Sequence, residues 1–167
     1  FSFGIDQLGV VSEDVRVAYS QFGFKPADIH LIENGVEFVG EPVFRRDDKL
    51  QARRAMLSEL PLDQQKGLSP FLSDLWIVYQ ARFSPGKGQE HAISMWSAMG
   101  MEDRAKSILV LVGPESENGE YARVHDLISK SPDPERVFMP GGSVNSLQWI
   151  QVGDVFLSCS EYEGMPL

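Results

Sequence analysis

Hydrophobic and polar positions alternate in blocks along this chain, and the period of the blocks switches repeatedly. Gln7 to Ser12 reads as a short apolar strand, with Ser12 placed to cap a helix that carries Glu13 and Asp14 in its first turn. Val15, Val17, Ala18 and Phe22 stripe that helix, and Gly23 stops it. Asp28 to Ile32 is a second short strand, closed by an Asn34-Gly35 turn. From Phe44 to Leu60 the pattern is helical and highly charged, with Leu50, Met56, Leu57 and Leu60 available for an apolar face and Pro61 as its end. Residues 61–74 show little periodicity and read as a linker or surface loop.

The pattern beyond is more regular. Leu75 to Phe83 is a buried strand, and Gln89 to Met99 is a helix with Ala92, Met95, Trp96 and Met99 on one face. Ser107 to Val112 is a continuous apolar strand of the kind covered on both faces. Tyr121, Val124, Leu127 and Ile128 stripe another helix, and Arg136 to Met139 is a strand leading to Pro140-Gly141-Gly142. Ser143 or Asn145 caps a short helix with Leu147 and Ile150 inward, and Asp154 to Ser158 is the last strand. No internal repeat or low-complexity segment interrupts the series. Strands alternating with helices at this interval predict an α/β fold, a Rossmann-like doubly wound parallel sheet. Right-handed crossovers then bring Arg82, Gly113, Gly141 and Glu161/Glu163, all of which follow strands, to one rim.

Composition narrows the partners. Net charge is −9, from 15 basic and 24 acidic residues, which argues against nucleic acid or anionic membrane as the main partner. No apolar run spans a bilayer, and no signal-peptide pattern opens the sequence. A single cysteine, Cys159, fits a reducing, cytoplasmic compartment and reads as core rather than nucleophile. His30, His91 and His125 are scattered without metal-ligand spacing, so no metal is expected. Trp76, Trp96 and Trp149 read as core, and Asp154 as structural at the opposite rim. The chain starts on Phe1-Ser2-Phe3 and stops at Met165-Pro166-Leu167 without terminal signals, which reads as a piece of a longer protein, truncated at the C-terminus.

The candidate chemistry centres on Arg82-Phe83-Ser84-Pro85-Gly86-Lys87-Gly88, where a strand ends on one cation and a helix opens after another. A dinucleotide fingerprint fails here because His91 holds its third glycine place. A P-loop fails because Gly88, not Ser or Thr, follows Lys87. What remains is a pair of charge clamps for a diphosphate, against the plainer reading of two solvated loop cations. Glu161 and Glu163 are solvated loop acids or, beside a diphosphate, partners for neutral sugar hydroxyls. Gly164-Met165-Pro166 would let backbone N–H groups approach such a ligand.

Four segments in order resemble the C-terminal half of a family 4 glycosyltransferase with the GT-B fold. These are Ile29-His30-Leu31-Ile32-Glu33-Asn34-Gly35-Val36 with its upstream Val11-Ser12-Glu13, then Ala81-Arg82 to Lys87-Gly88, Leu111-Val112-Gly113-Pro114, and Ser158 to Leu167. The resemblance implies that residues 1–43 are the tail of the acceptor-side domain and the connection, and that 44–167 are an incomplete donor-binding, Rossmann-like domain. It implies a retaining enzyme of polysaccharide synthesis, using a nucleotide-diphosphate sugar and a glycan or lipid-linked acceptor, with no cofactor and no metal. Arg82 and Lys87 would bind the diphosphate and Glu163 the sugar hydroxyls. Gly164, Met165, Pro166 and Leu167 would line sugar and phosphate by main chain, and Gly113 would sit in the turn after the second strand. The Met139 to Gly142 segment, with Gly141 and Gly142, would meet the base. Ala81 departs from the family's glycine before the arginine, and the second glutamate of the family's pair would fall beyond Leu167. On this reading the piece alone binds donor weakly and does not turn over, and any membrane contact runs through the acceptor-side domain. The competing classes are a non-catalytic ligand-binding or assembly domain and a GT-B-shaped sugar-nucleotide epimerase.

Overall fold

The computed structural model describes residues 7–32, 46–116, 119–142 and 146–161. Among these, residues 7–32 belong to one compact unit and residues 46–161 to another. In the first, β1 (Leu8–Val10) and β2 (Ile29–Leu31) pair in parallel, with α1 (Glu13–Gln21) between them in sequence. Ser12 caps α1 as its sequence suggests, its Oγ accepting from the Val15 N–H at 3.3 Å. Gly23 follows the helix end at φ +98, a left-handed backbone that suits glycine. The Asn34-Gly35 turn and the helix start at Phe44 lie outside the described residues.

The second unit holds α2 (Arg46–Ser58), α3 (Leu62–Leu68), β3 (Leu75–Gln80), α4 (Gln89–Ala98), α5 (Met101–Arg104), β4 (Ser107–Val112), α6 (Glu120–Ser129), β5 (Val137–Gly141), α7 (Ser146–Val152) and β6 (Val155–Leu157). Among its described residues four strands form one parallel sheet in the order β5-β4-β3-β6. Alternation along the strands sends side chains to two separate cores. Trp76, Val78, Ile108, Val110 and Val112 pack with Met56, Leu57, Leu68, Trp149 and Val152 from α2, α3 and α7. Tyr79, Leu109, Leu111 and Val137 pack with Ala92, Ile93, Trp96, Val124 and Ile128 from α4 and α6. All six residues of β4 are buried, as a central strand covered on both faces must be.

Three expectations need correction. Residues 61–74 are not a loop: Leu62–Leu68 is helical and Ser69–Phe71 is a 3₁₀ turn. Pro61 and Pro70 stand before and after that helix, so the prolines punctuate it instead of excluding it, and Leu68 is fully buried. The buried stripe of α4 is Gln89, Ala92, Ile93 and Trp96, leaving Met95 exposed. A polar residue at the first core position concealed the register. On α7 the inward residues are Trp149 and Val152, while Leu147 is exposed. The α7 capping residues proposed at Ser143 or Asn145 lie outside the described residues.

At the amino rim of this sheet a charged network fastens the layers. Arg53, almost wholly buried on α2, donates to the carbonyls of Val152, Leu72 and Asp74 and to Asp154 Oδ2 at 2.6 Å. Asp154 also accepts from the Trp76 N–H at 2.8 Å, while its own N–H donates to the Trp76 carbonyl at 2.9 Å. Burial pushes the Asp154 carboxyl up, but the Trp76 N–H and the Arg53 and Lys49 charges outweigh this and hold it below the usual carboxylate range. Asp154 is structural, at the rim opposite the candidate site, as its position in the sequence suggests.

Candidate functional site

Strand order decides where a ligand can sit. The chain winds outward from β3 through β4 to β5 and then returns to the other side of β3 with β6. The switch point, where the loops after adjacent strands diverge, therefore lies between the carboxyl ends of β3 and β6. The two loops leaving that point are 81–88 and 158–161, the stretches that carry Arg82, Lys87 and Glu161.

The ladder first extends to the rim and then gives way. Ala81 N–H donates to the Val112 carbonyl at 3.0 Å, and Gly113 N–H to the Gly141 carbonyl at 3.1 Å. Gly113 has no room for a side chain, since a Cβ would stand 1.9 Å from the Ala81 carbonyl oxygen. Phe83 bridges to Glu115 and is fully buried, with its ring edge-on to Tyr121 at 4.9 Å. Beyond it the chain turns through Ser84 to Lys87, closed by the Lys87 N–H on the Ser84 carbonyl at 3.2 Å. Gly86 and Gly88 take φ of 80 and 76, values that disfavour any side chain.

α4 then starts at Gln89 with Gly88 as its N-cap and no side chain capping it. The amino end of a ten-residue helix thus points its partial positive charge to the turn. Arg82 is exposed at one end of the turn and Lys87 half-buried at the other. The β6 loop seals the far side: Glu161 N–H donates to the Gly86 carbonyl at 2.9 Å, and a Cβ on Gly88 would come within 2.1 Å of the Cys159 carbonyl oxygen. The close contact therefore falls between Gly88 and the loop after β6, while His91, at the third fingerprint place, is exposed. Cys159 is half-buried against the α4–α6 core, and burial raises its thiol above the ordinary value, which suits a packing role.

Of the sequence-predicted residues, Arg82, Lys87, Gly113, Gly141, Gly142 and Glu161 stand on this one rim. Gly142 lies against Pro114, where a Cβ would meet the proline ring at 3.1–3.3 Å. Glu163, Gly164, Met165, Pro166 and Leu167 lie outside the described residues. Two residues of the turn's support were not foreseen. Gln89 is fully buried and its Nε2 donates to the Arg82 carbonyl at 2.9 Å, and the Tyr79 hydroxyl donates to the carbonyl of Lys87. The available signal was a glutamine on the core stripe of α4. Among the described residues no group of three or more His, Cys, Asp or Glu could hold a metal ion, and no helix is long and apolar enough to cross a membrane.

No protein-family model matches the chain, and no curated protein sequence matches it. Solved structures do. HepE of Anabaena, in its complex with UDP and glucose, superposes with a TM-score of 0.67 at 19% identity, over 93% of this chain and 38% of that one. A TarM variant of S. aureus, in complex with fondaparinux, alpha-GlcNAc-glycerol and UDP, gives 0.69 at 17% identity, over 98% of this chain and 27% of that one. A UDP-forming trehalose-phosphate synthase of Burkholderia vietnamiensis gives 0.64 at 11% identity, over 97% and 42%. At such identities the likeness defines the fold. The chain has the Rossmann-like architecture of one part of GT-B glycosyltransferases, and it spans well under half the length of these proteins.

Proposed function

We propose that this chain is the donor-binding half of a retaining glycosyltransferase that takes its sugar from a nucleotide-diphosphate donor. The observation that carries the reading is the seating of the Arg82–Lys87 turn, with the uncapped start of α4, at the switch point between β3 and β6. Two cations and a helix terminus at a crevice of this kind favour a diphosphate over a neutral ligand. The UDP complexes of HepE and TarM lend support, since both share this fold.

In this scheme Arg82 and Lys87 hold the diphosphate and stabilise the charge that develops on the leaving phosphate as the glycosidic bond breaks. Glu163 receives hydroxyls of the transferred sugar, and the main chain of Gly164, Met165, Pro166 and Leu167 lines sugar and phosphate. Gly113 and Gly142 let the loops after β3 and β4 pack closely beneath the ligand, and the Met139 to Gly142 segment, through Gly141, meets the base. No metal or cofactor takes part. The acceptor is a glycan or lipid-linked glycan on the cytoplasmic side, in polysaccharide synthesis.

Thermal unfolding of a chain extended beyond Leu167, in the presence of UDP, GDP, ADP and their sugars, tests the reading. A ligand at 100 times its Kd stabilises the native state by about 2.7 kcal/mol, or roughly 5–10 °C in a chain of this size. One nucleotide series should shift the midpoint by that amount. No shift with any of them removes the nucleotide-sugar reading and leaves a domain that has the sheet without the chemistry.

A further inference from the structure

Both candidate cations are placed through their backbones. The Arg82 carbonyl receives Nε2 of Gln89 at 2.9 Å, and the Ala81 carbonyl lies 3.4 Å from the same nitrogen. At the other end of the turn the Lys87 carbonyl receives the Tyr79 hydroxyl and, at 3.3 Å, Ser160 Oγ. Gln89 and Tyr79 are 0% and 1% exposed, so each cation's main chain is anchored to a side chain that solvent does not loosen.

Packing alone does not call for this chemistry. Gln89 occupies the first place in the α4 core stripe, where an aliphatic side chain would serve, and its Oε1 is buried with no hydrogen-bond partner among the described residues. A half-satisfied buried amide is less stable than an apolar residue of similar shape. The Tyr79 ring is likewise core, and only its hydroxyl reaches the turn. What the two polar ends share is the segment between them, Arg82 to Lys87.

We propose that Gln89 and Tyr79 are positioning residues for the diphosphate: they fix the separation and direction of the Arg82 and Lys87 main chains before ligand arrives. This rests on the diphosphate reading above. Holding the turn in advance spares the ordering cost that binding otherwise meets. Its signature is a loss of diphosphate affinity without loss of fold.

The test uses Gln89→Leu and Tyr79→Phe in the 167-residue chain, read by amide hydrogen exchange and by titration with UDP, ADP and GDP, each beside its nucleoside. In both variants amides between Ser84 and Gly88 should exchange about tenfold faster while those of β4 keep their rates. Diphosphate affinity should fall about tenfold, the worth of one such hydrogen bond, with nucleoside affinity unchanged. Gln89→Leu should melt close to the parent, because losing the bond to the Arg82 carbonyl is offset by removing the buried Oε1. Unchanged exchange in the turn, unchanged diphosphate affinity, or an equal loss for nucleoside and diphosphate each overturn the positioning role alone. A parent chain that binds none of the three diphosphates overturns the site reading and this proposal with it, whatever the exchange shows.

Discussion

Gly88 meets two demands that no other residue satisfies together. Its φ of +76 lies in the left-handed region, and its missing Cβ leaves space for the Cys159 carbonyl. Gly88→Ala should therefore destabilise the fold by about 2–4 kcal/mol, combining backbone strain with a clash against main chain that cannot rotate away. Urea unfolding measures this, and a change below half a kilocalorie would mean that the β6 loop shifts freely. Lys87 is the contrasting case. Its side chain is half-buried at the rim, and Lys87→Ala should keep the chain folded while weakening UDP binding about tenfold. Equal UDP affinity in a titration would reduce Lys87 to a solvent-facing lysine.

Among the elements, β6 is held at its start by a single side chain. It is three residues long, and Asp154 ties its start to β3 and to α2. Asp154→Asn keeps an acceptor for the Trp76 N–H but strips the buried Arg53 of its counter-charge. The expected loss is about 2–3 kcal/mol, below the figure for a fully buried pair because Asp154 keeps partial contact with solvent. The folded carboxyl is depressed, so its stabilisation is complete above the unfolded value of about 4 and disappears as pH falls through the lower folded value. Unfolding free energy followed from pH 7 to 2 should drop steeply below about pH 4 in the parent, and less so in Asp154→Asn.

The same elements show what the sequence could and could not disclose. Period-two and period-3.6 blocks are local, so β3, β4, α4 and α6 were legible, as was the rim that Arg82, Gly113 and Gly141 share. The helix at Leu62–Leu68 was obscured because it is short and set between prolines. The burial of Arg53 and Gln89 was not legible, because their partners are the carbonyls of Val152, Leu72 and Arg82, which only tertiary packing brings near. Sequence-based reading ranks such residues as surface by type.

For the whole molecule, the described residues of the two compact units differ sharply in how much they bury. No residue of α1 is buried, and Val10 and Ile29 are the buried core residues among the described residues of that unit. Native-state hydrogen exchange should find α1 amides opening orders of magnitude more readily than those of β4, which set the slow limit. Comparable rates in the two would show that residues 7–32 are stabilised by more than the burial of Val10 and Ile29.

The sheet order has a further consequence on the ribosome. β3, β4 and β5 can pair as they emerge, but the flank of β3 that β6 will occupy must wait for a strand encoded far downstream. Translation proceeds at ~5–20 residues per second, so for several seconds the nascent sheet presents an unpaired inner edge beside a half-built phosphate turn. The crevice is thus the last part of this unit to come into being. Slowed translation between β5 and β6 would lengthen the interval in which that edge can recruit the wrong strand.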